Sequence, residues 1–270
     1  MGTECQAFRK RLRNGESIVG TFLKTPTPIA AEVLGRSNLD AFCVDVEHAP
    51  FGRLELDLCV AAFRAADRPS IVRTANDSST EIRNALDSGA TGILVPHVTS
   101  AAQASAIVKA AQFGEGGRGF AGSTRASEFT TKPMAAHLAD SKAQTTVIVQ
   151  IEDLAALSNV ADIASVDGID AIFIGRVDLA VAMDKSPMDG DVVDAVMRIC
   201  EDTAATGTTI GMFTPDLAEI PDWRKAGASL FLLSSDQSMI LTGANRLAET
   251  VRKYDDQQHF SRPGIMEDRR

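Results

Sequence analysis

The sequence predicts an α/β fold, a (β/α)8 or TIM barrel, and three observations predict it. Eight short β-rich runs recur along the chain, most of them unbroken apolar stretches, the pattern of strands buried on both faces. Segments with apolar residues at helical spacing lie between them. Eight such units in about 240 residues match the ordinary size of this barrel. The rival, a doubly wound sheet, wants a glycine-rich first turn. Here the first run is followed by Lys-Thr-Pro-Thr-Pro (24–28) and not by G-x-G-x-x-G.

Arg9 to Arg13 read as part of an amphipathic lead-in helix. The strand-like runs then follow at 17–24, 40–47, 70–75 and 92–98, and again at 145–152, 170–178, 208–213 and 229–236. Helical spacing is clearest at 54–66, 101–113 and 191–206. Several helices should stop on a glycine before the next strand, at Ser-Gly-Ala-Thr (88–91), Ala-Thr-Gly-Thr (205–208) and Lys-Ala-Gly-Ala-Ser (225–229). The long connection 113–142 is too rich in glycine for a continuous helix, and loops of that length in a compact domain are functional or mobile. One barrel domain over 1–254 and a charged tail over 255–270 complete the organisation.

Composition narrows the function. Hydrophobic residues at 44% and charged residues at 23% supply a full core, and with one Trp and one Tyr that core must be aliphatic. A net charge of −9 with a pI near 5.0 speaks against a nucleic-acid partner. A polar N-terminus and the lack of any 18-residue apolar run predict neither a membrane partner nor a secretory signal. Cys5, Cys43, Cys59 and Cys200 are scattered, with no C-x-x-C pair, as expected of reduced thiols in a cytoplasmic protein.

Such a barrel carries its chemistry at the C-terminal strand ends. Glu152 and Asp178 end neighbouring runs, and two converging carboxylates make a hard oxygen site suited to Mg²⁺ or Mn²⁺, with Co²⁺ a further candidate. Alternatively, each carboxylate caps the helix that follows it. His48 stands beside Asp45 and Glu47, either of which could fix one imidazole tautomer, as a general base requires; otherwise it is a surface loop histidine. His97 ends the fourth run with no acid near it in sequence and reads as a core or rim residue. Arg73 follows two apolar residues, so its guanidinium must be paired, with a substrate anion or with a barrel acid. Only Lys24 among the lysines sits at a strand end, and it looks exposed. A Schiff-base mechanism needs a desolvated lysine, so a metal is the better electrophile.

These residues resemble the HpcH/HpaI aldolase family. The likeness is carried by VDVEHAP (44–50), SIVRTA (70–75), GILVPHV (92–98), GGRGFAG (116–122), VQIED (149–153), GIDAIFIGRVDLA (168–180) and GMF (211–213). It runs from about Gly20 to Leu247. The resemblance implies a metal-dependent class II aldolase that reversibly cleaves a 4-hydroxy-2-oxo acid to pyruvate and an aldehyde. It implies Glu152 and Asp178 as metal ligands, His48 as base oriented by Asp45, and Arg73 holding the enolate. Gln150 would lie beside the metal-bound water and substrate, and the Val177 and Asp178 backbone N–H groups would receive the pyruvate carboxylate. It also implies a homo-oligomer, a hexamer built as a trimer of helix-swapped dimers, with Arg118 and its loop serving a neighbour's site. The same metal–enolate chemistry would serve a citryl- or malyl-CoA lyase or a citrate-forming relative, and a non-catalytic 2-oxo-acid-binding barrel is the alternative outside enzymes. Four residues depart from the family pattern: Arg176 for Pro, Phe22 for Trp, Phe213 for Leu and His97 for Met. Arg176 either enters the acceptor pocket or pairs with a rim acid, while Phe22 and Phe213 line that pocket.

Overall fold

The computed structural model describes residues 2–259, with side chains to Tyr254. Eight parallel strands close a barrel in chain order: β1 (Ile18–Leu23), β2 (Ala41–Asp45), β3 (Ser70–Arg73), β4 (Gly92–Val95), β5 (Thr146–Ile151), β6 (Ala171–Ile174), β7 (Thr209–Phe213) and β8 (Ala228–Ser235). The ring closes where Ile18 and Val19 pair with Leu230 and Phe231. Around it run α1 (Thr3–Arg13), α2 (Pro28–Leu34), α3 (Arg53–Ala65), α4 (Ser79–Asp87), α5 (Ala101–Ala111) and α6 (Met134–Gln144). The rest are α7 (Val160–Ala164), α8 (Arg176–Ala182), α9 (Gly190–Thr206), α10 (Ile220–Lys225) and α11 (Asp236–His259).

Strand alternation divides the core in two. Phe42 and Val44 of β2, Val72 of β3, and Val147, Val149 and Ile151 of β5 pack outward against the helices. Cys43, Ile71, Ile148 and Phe173 fill the barrel interior. The next inward positions toward the C-terminal mouth are therefore Asp45, Arg73, Gln150 and Gly175, so the period that builds the core also aims the polar residues. The N-terminal mouth is plugged by Phe8 and Leu12 of α1, which join the interior cluster. Arg9 and Arg13 tie this plug to Asp170, with Nε–Oδ1 distances of 2.9 and 2.6 Å, and the Thr209 hydroxyl donates to the Leu12 carbonyl.

The helices expected at 54–66, 101–113 and 191–206 lie within two residues of α3, α5 and α9. The glycine stops also hold: Gly89, Gly207 and Gly227 adopt φ of +89°, +77° and +99°, a region side chains rarely enter. Three segments differ from expectation. β6 ends at Ile174, and Arg176, Val177 and Asp178 open α8 after Gly175. The acid is thereby placed in a first helical turn, where the helix dipole favours it. The connection 113–142 is irregular only to Pro133, because the glycine-free stretch beyond it forms α6. The tail expected from Asp255 begins inside α11, which continues to His259, while residues 260–270 lie outside the described residues.

Candidate active site

The site starts from β2 and β3. Asp45 and Arg73 end adjacent strands in register, both inward and both buried. Arg73 donates from Nε to Asp45 Oδ1 at 3.0 Å and from Nη2 to Oδ2 at 2.8 Å. Lys24 Nζ lies 3.4 Å from Oδ2. Burial works to raise the Asp45 carboxyl, but the hydrogen-bonded Arg73 guanidinium outweighs it and holds the group below its ordinary value. Burial likewise disfavours the Arg73 charge, and Asp45 more than offsets it. Phe22 packs its ring 4.8 Å from the guanidinium carbon, and Phe213 lies 5.9 Å from Phe22, tilted.

Beyond β2 the chain turns over this pair. The His48 backbone N–H donates to Asp45 Oδ1 at 3.1 Å, so Asp45 fixes the loop and not the imidazole. The half-exposed His48 ring instead places Nε2 3.7 Å from Glu47 Oε2. Glu47 lies two residues past the end of β2 with its side chain largely buried. Its Oε2 is 3.3 Å from Arg73 Nε.

β5 supplies Gln150 and, one residue past its end, Glu152, both buried. The Gln150 amide donates to Glu152 Oε2. Glu152 Oε1 accepts the His97 backbone N–H at 2.9 Å. Burial raises the Glu152 carboxyl against these two donors, and the charge of Asp178 pushes it further the same way. A Cβ on Gly175 would fall 2.7 Å from Glu152 Oε2 and 2.9 Å from Gln150 Nε2, so this crossing over the carboxylate requires glycine. Val177 and Asp178 stand exposed in the first turn of α8. A cavity of about 380 Å³ at the C-terminal mouth brings together Phe22, Asp45, His48, Arg73 and Gln150 from one side and Val177, Asp178 and Phe213 from the other.

Two residues mattered more than their sequence context showed. His97, at φ +57°, turns back over the carboxylates. Its Nδ1 lies 3.0 Å from Asp153 Oδ2 and 3.3 Å from Glu152 Oε1, and its Nε2 is 3.5 Å from Glu47 Oε1. Burial alone would lower this imidazole, but Asp153 and the other carboxylates raise it. Glu47, next to His48 in sequence, faces His97 across the mouth. The signal was topological: β2, β4 and β5 deliver these side chains to one place, although no two of the three runs are contiguous in sequence. One ligand atom each from Glu47, His97 and Glu152 lies within 4.8 Å of the others. Glu47 Oε2 and Gln150 Oε1 are buried without a hydrogen-bond partner. Oxygen donors left unused beside a buried carboxylate fit a divalent cation.

Arg176 is buried and lines the same cavity, but its guanidinium turns to Glu219. Its Nη1 is 2.7 Å from Glu219 Oε2, and its guanidinium carbon lies 5.4 Å from the Trp223 ring. Arg118 is buried against Asp87 of its own chain, with Nη2–Oδ1 2.5 Å, and anchors the glycine-rich loop there instead of reaching outward.

A closed barrel with an ion-paired guanidinium, a carboxylate cluster and a histidine at its C-terminal mouth has the layout of a barrel enzyme. The chain belongs to the HpcH/HpaI aldolase/citrate lyase family, whose sequence profile matches residues 19–242. It is 35% identical over 229 residues to a 4-hydroxy-2-oxovalerate aldolase of Rhodococcus jostii (strain RHA1), covering 81% of this chain and 86% of that one. The crystal structure of an HpcH/HpaI aldolase/citrate lyase family protein from Burkholderia cenocepacia J2315 superposes with a TM-score of 0.86 at 30% identity, over 92% of this chain and 99% of its own. The citrate synthase SbnG superposes at 0.83 with 28% identity, over 93% and 99%.

Proposed function

We propose that the protein is a divalent-metal-dependent class II aldolase of the cytoplasm that cleaves a 4-hydroxy-2-oxo acid to pyruvate and an aldehyde. The observation that carries this reading is the buried Glu152 carboxylate, raised by its surroundings, at the same mouth as the Asp45-pinned guanidinium of Arg73. Glu152 and Asp178 would hold Mg²⁺ or Mn²⁺, and the ion would supply Lewis-acid polarisation of the 2-oxo group.

The chain's own residues do the rest. The N–H groups of Val177 and Asp178, at the start of α8, receive the substrate carboxylate. His48 faces the cavity with its ring half-exposed and takes the 4-hydroxyl proton, its Nε2 near Glu47. When the C3–C4 bond breaks, charge collects on the enolate oxygen, and Arg73 meets it without reorganising, because Asp45 and Phe22 already fix the guanidinium. Gln150 holds Glu152 from below, and Phe22 with Phe213 walls the aldehyde side.

Assembly belongs to the same proposal. Among the described residues, α11 leaves Ile240, Leu241, Leu247 and Val251 well exposed, an apolar surface that a second copy of the chain would cover on the way to a hexamer. No described helix is long and apolar enough to cross a membrane, and the acidic net charge disfavours nucleic acid. The test is pyruvate release from 4-hydroxy-2-oxo acids with and without EDTA. Release that stops on chelation and returns with Mn²⁺ supports the reading. Release indifferent to EDTA, or none from any such acid, overturns it.

A further inference from the structure

We propose that His97 is a nitrogen ligand, through Nε2, to the cation held by Glu152, with Glu47 completing the same side of the coordination sphere. The inference rests on the metal-dependent reading above and adds a donor of a different chemical kind to it. Three observations carry it.

The first is the geometry of the three side chains. His97 Nε2 is 3.5 Å from Glu47 Oε1, and ligand atoms of Glu47, His97 and Glu152 lie within 4.8 Å of one another. Metal–ligand bonds of 2.0–2.1 Å in an octahedron place adjacent donors roughly 3 Å apart, so small rotations bring these atoms onto one ion.

The second is the contact behind the ring. Asp153 Oδ2 sits 3.0 Å from Nδ1. A carboxylate there keeps the proton on Nδ1 and presents the Nε2 lone pair toward Glu47, the arrangement that orients metal-binding histidines. The backbone N–H of the same residue donates to Glu152 Oε1, tying the ring's own peptide to the carboxylate that would share the ion.

The third is independent of the histidine. Glu47 is nine-tenths buried, and its Oε2 has no hydrogen-bond partner. A buried carboxylate oxygen without a donor is costly unless something positive arrives. Arg73 Nε, at 3.3 Å, is already spent on Asp45.

A simple rim ion pair between His97 and Asp153 would account for the Nδ1 contact alone. A protonated ring bridging Asp153 and Glu47 would account for both nitrogens, but not for Glu47 Oε2, which is left without a donor. An imidazole donor also changes ion preference: nitrogen suits Mn²⁺, Co²⁺ and Zn²⁺, whereas an all-oxygen site suits Mg²⁺. The site is thus expected to discriminate against Mg²⁺.

The experiment is ¹⁴N electron spin-echo envelope modulation on the Mn²⁺-loaded full-length protein, with Mn²⁺, Co²⁺ and Mg²⁺ affinities from calorimetry. The wild type should show imidazole-nitrogen coupling. That coupling should persist in His48→Ala, which removes the other nearby ring, and vanish in His97→Met. His97→Met should weaken Co²⁺ binding about 10–100-fold while changing Mg²⁺ binding little, and Asp153→Asn should weaken Co²⁺ by a similar or smaller factor. Mn²⁺ that binds in a Glu152-dependent manner without nitrogen coupling overturns this inference and leaves the aldolase reading standing. Coupling lost in His48→Ala and kept in His97→Met also overturns it. Failure to bind Mn²⁺ at all overturns both.

Discussion

Asp45 and Arg73 are Cα partners across the β2–β3 ladder, and their side chains close a two-point ion pair inside the barrel mouth, at 3.0 and 2.8 Å. Backbone pairing already sets the two residues side by side, so little side-chain ordering is left for the contact itself. The pair thereby converts strand register into a fixed cation at the site. Arg73→Ala would leave Asp45 buried with only Lys24 and the His48 N–H against it. The expected loss is about 3–5 kcal/mol in urea or guanidinium unfolding, the usual cost of breaking a buried pair from one side. A loss under about 1 kcal/mol would place the pair with exposed ion pairs and remove its structural role.

The same pair sets an acid limit. The Asp45 carboxyl lies below its ordinary value when folded, so the unfolded chain binds the proton more readily. Its stabilising contribution is therefore complete above the unfolded aspartate range, about pH 3.9, and is lost as pH falls through the folded value. Asp45→Asn should lower stability at pH 7 and flatten the acid limb of the stability–pH curve. Glu152 works in the opposite sense: its carboxyl is raised on folding, so ionising it costs stability as pH rises. Parallel acid limbs in wild type and Asp45→Asn would show that the pair does not govern acid unfolding.

Glu152→Ala and Asp178→Ala should each abolish metal-dependent activity while leaving circular dichroism unchanged. Glu152, one residue past β5, and Asp178, in the first turn of α8, lie at the C-terminal mouth, where a barrel's acids serve function more than packing. In Glu152→Gln, thermal stability in EDTA should match or exceed that of wild type, because a buried charge resisted by its surroundings is gone. A double variant that cleaves substrate normally after chelation would end the metal hypothesis.

The barrel and its inward-pointing residues were legible because one alternation decides both core and site. Once Ile71 and Ile148 face in, Arg73 and Gln150 must as well. The position of Asp178 is not legible in the sequence because an apolar run does not mark where a strand yields to a helix. Gly175 and the first turn of α8 decide that, and the residues 170–178 look uniformly strand-like. His97 was unreadable for a different reason. Its acids come from β2 and from the segment beyond β5, and only closure of the barrel brings them to it.

His48→Ala should lower kcat by about 10²–10⁴-fold, the worth of a positioned general base. Since the ring approaches Glu47 while Asp45 takes only its backbone N–H, Glu47→Gln should lower kcat by about 10–100-fold through the ring it orients. Asp45→Asn should cost about 10–100-fold, acting through Arg73 and the loop. A kcat lowered by Asp45→Asn and untouched by Glu47→Gln would return the orienting role to Asp45.

Arg176 stands where the family resemblance implies proline, one residue before the Val177 N–H that is proposed to receive the substrate carboxylate. Its guanidinium is committed elsewhere, bonded to Glu219 through Nη1 at 2.7 Å and Nη2 at 3.2 Å and packed near Trp223, which itself donates to Glu219 at 2.9 Å. A cation held on both nitrogens cannot turn to a carboxylate in the acceptor pocket without abandoning a largely buried partner. Position 176 is also the first residue of α8, where proline fits because its missing N–H would have no helical acceptor. Arg176→Pro should therefore keep the helix and leave Glu219 short of a charged donor, for a stability loss of about 1–3 kcal/mol. A double-mutant cycle with Glu219→Gln should show the two losses to be strongly non-additive, since both break one pair. Activity should separate the two orientations. With the guanidinium on the rim, kcat/KM in the aldol direction should change by the same factor for succinic semialdehyde and for glycolaldehyde. A loss confined to the carboxylated aldehyde would mean that Arg176 leaves Glu219 during turnover and reads the acceptor's charge.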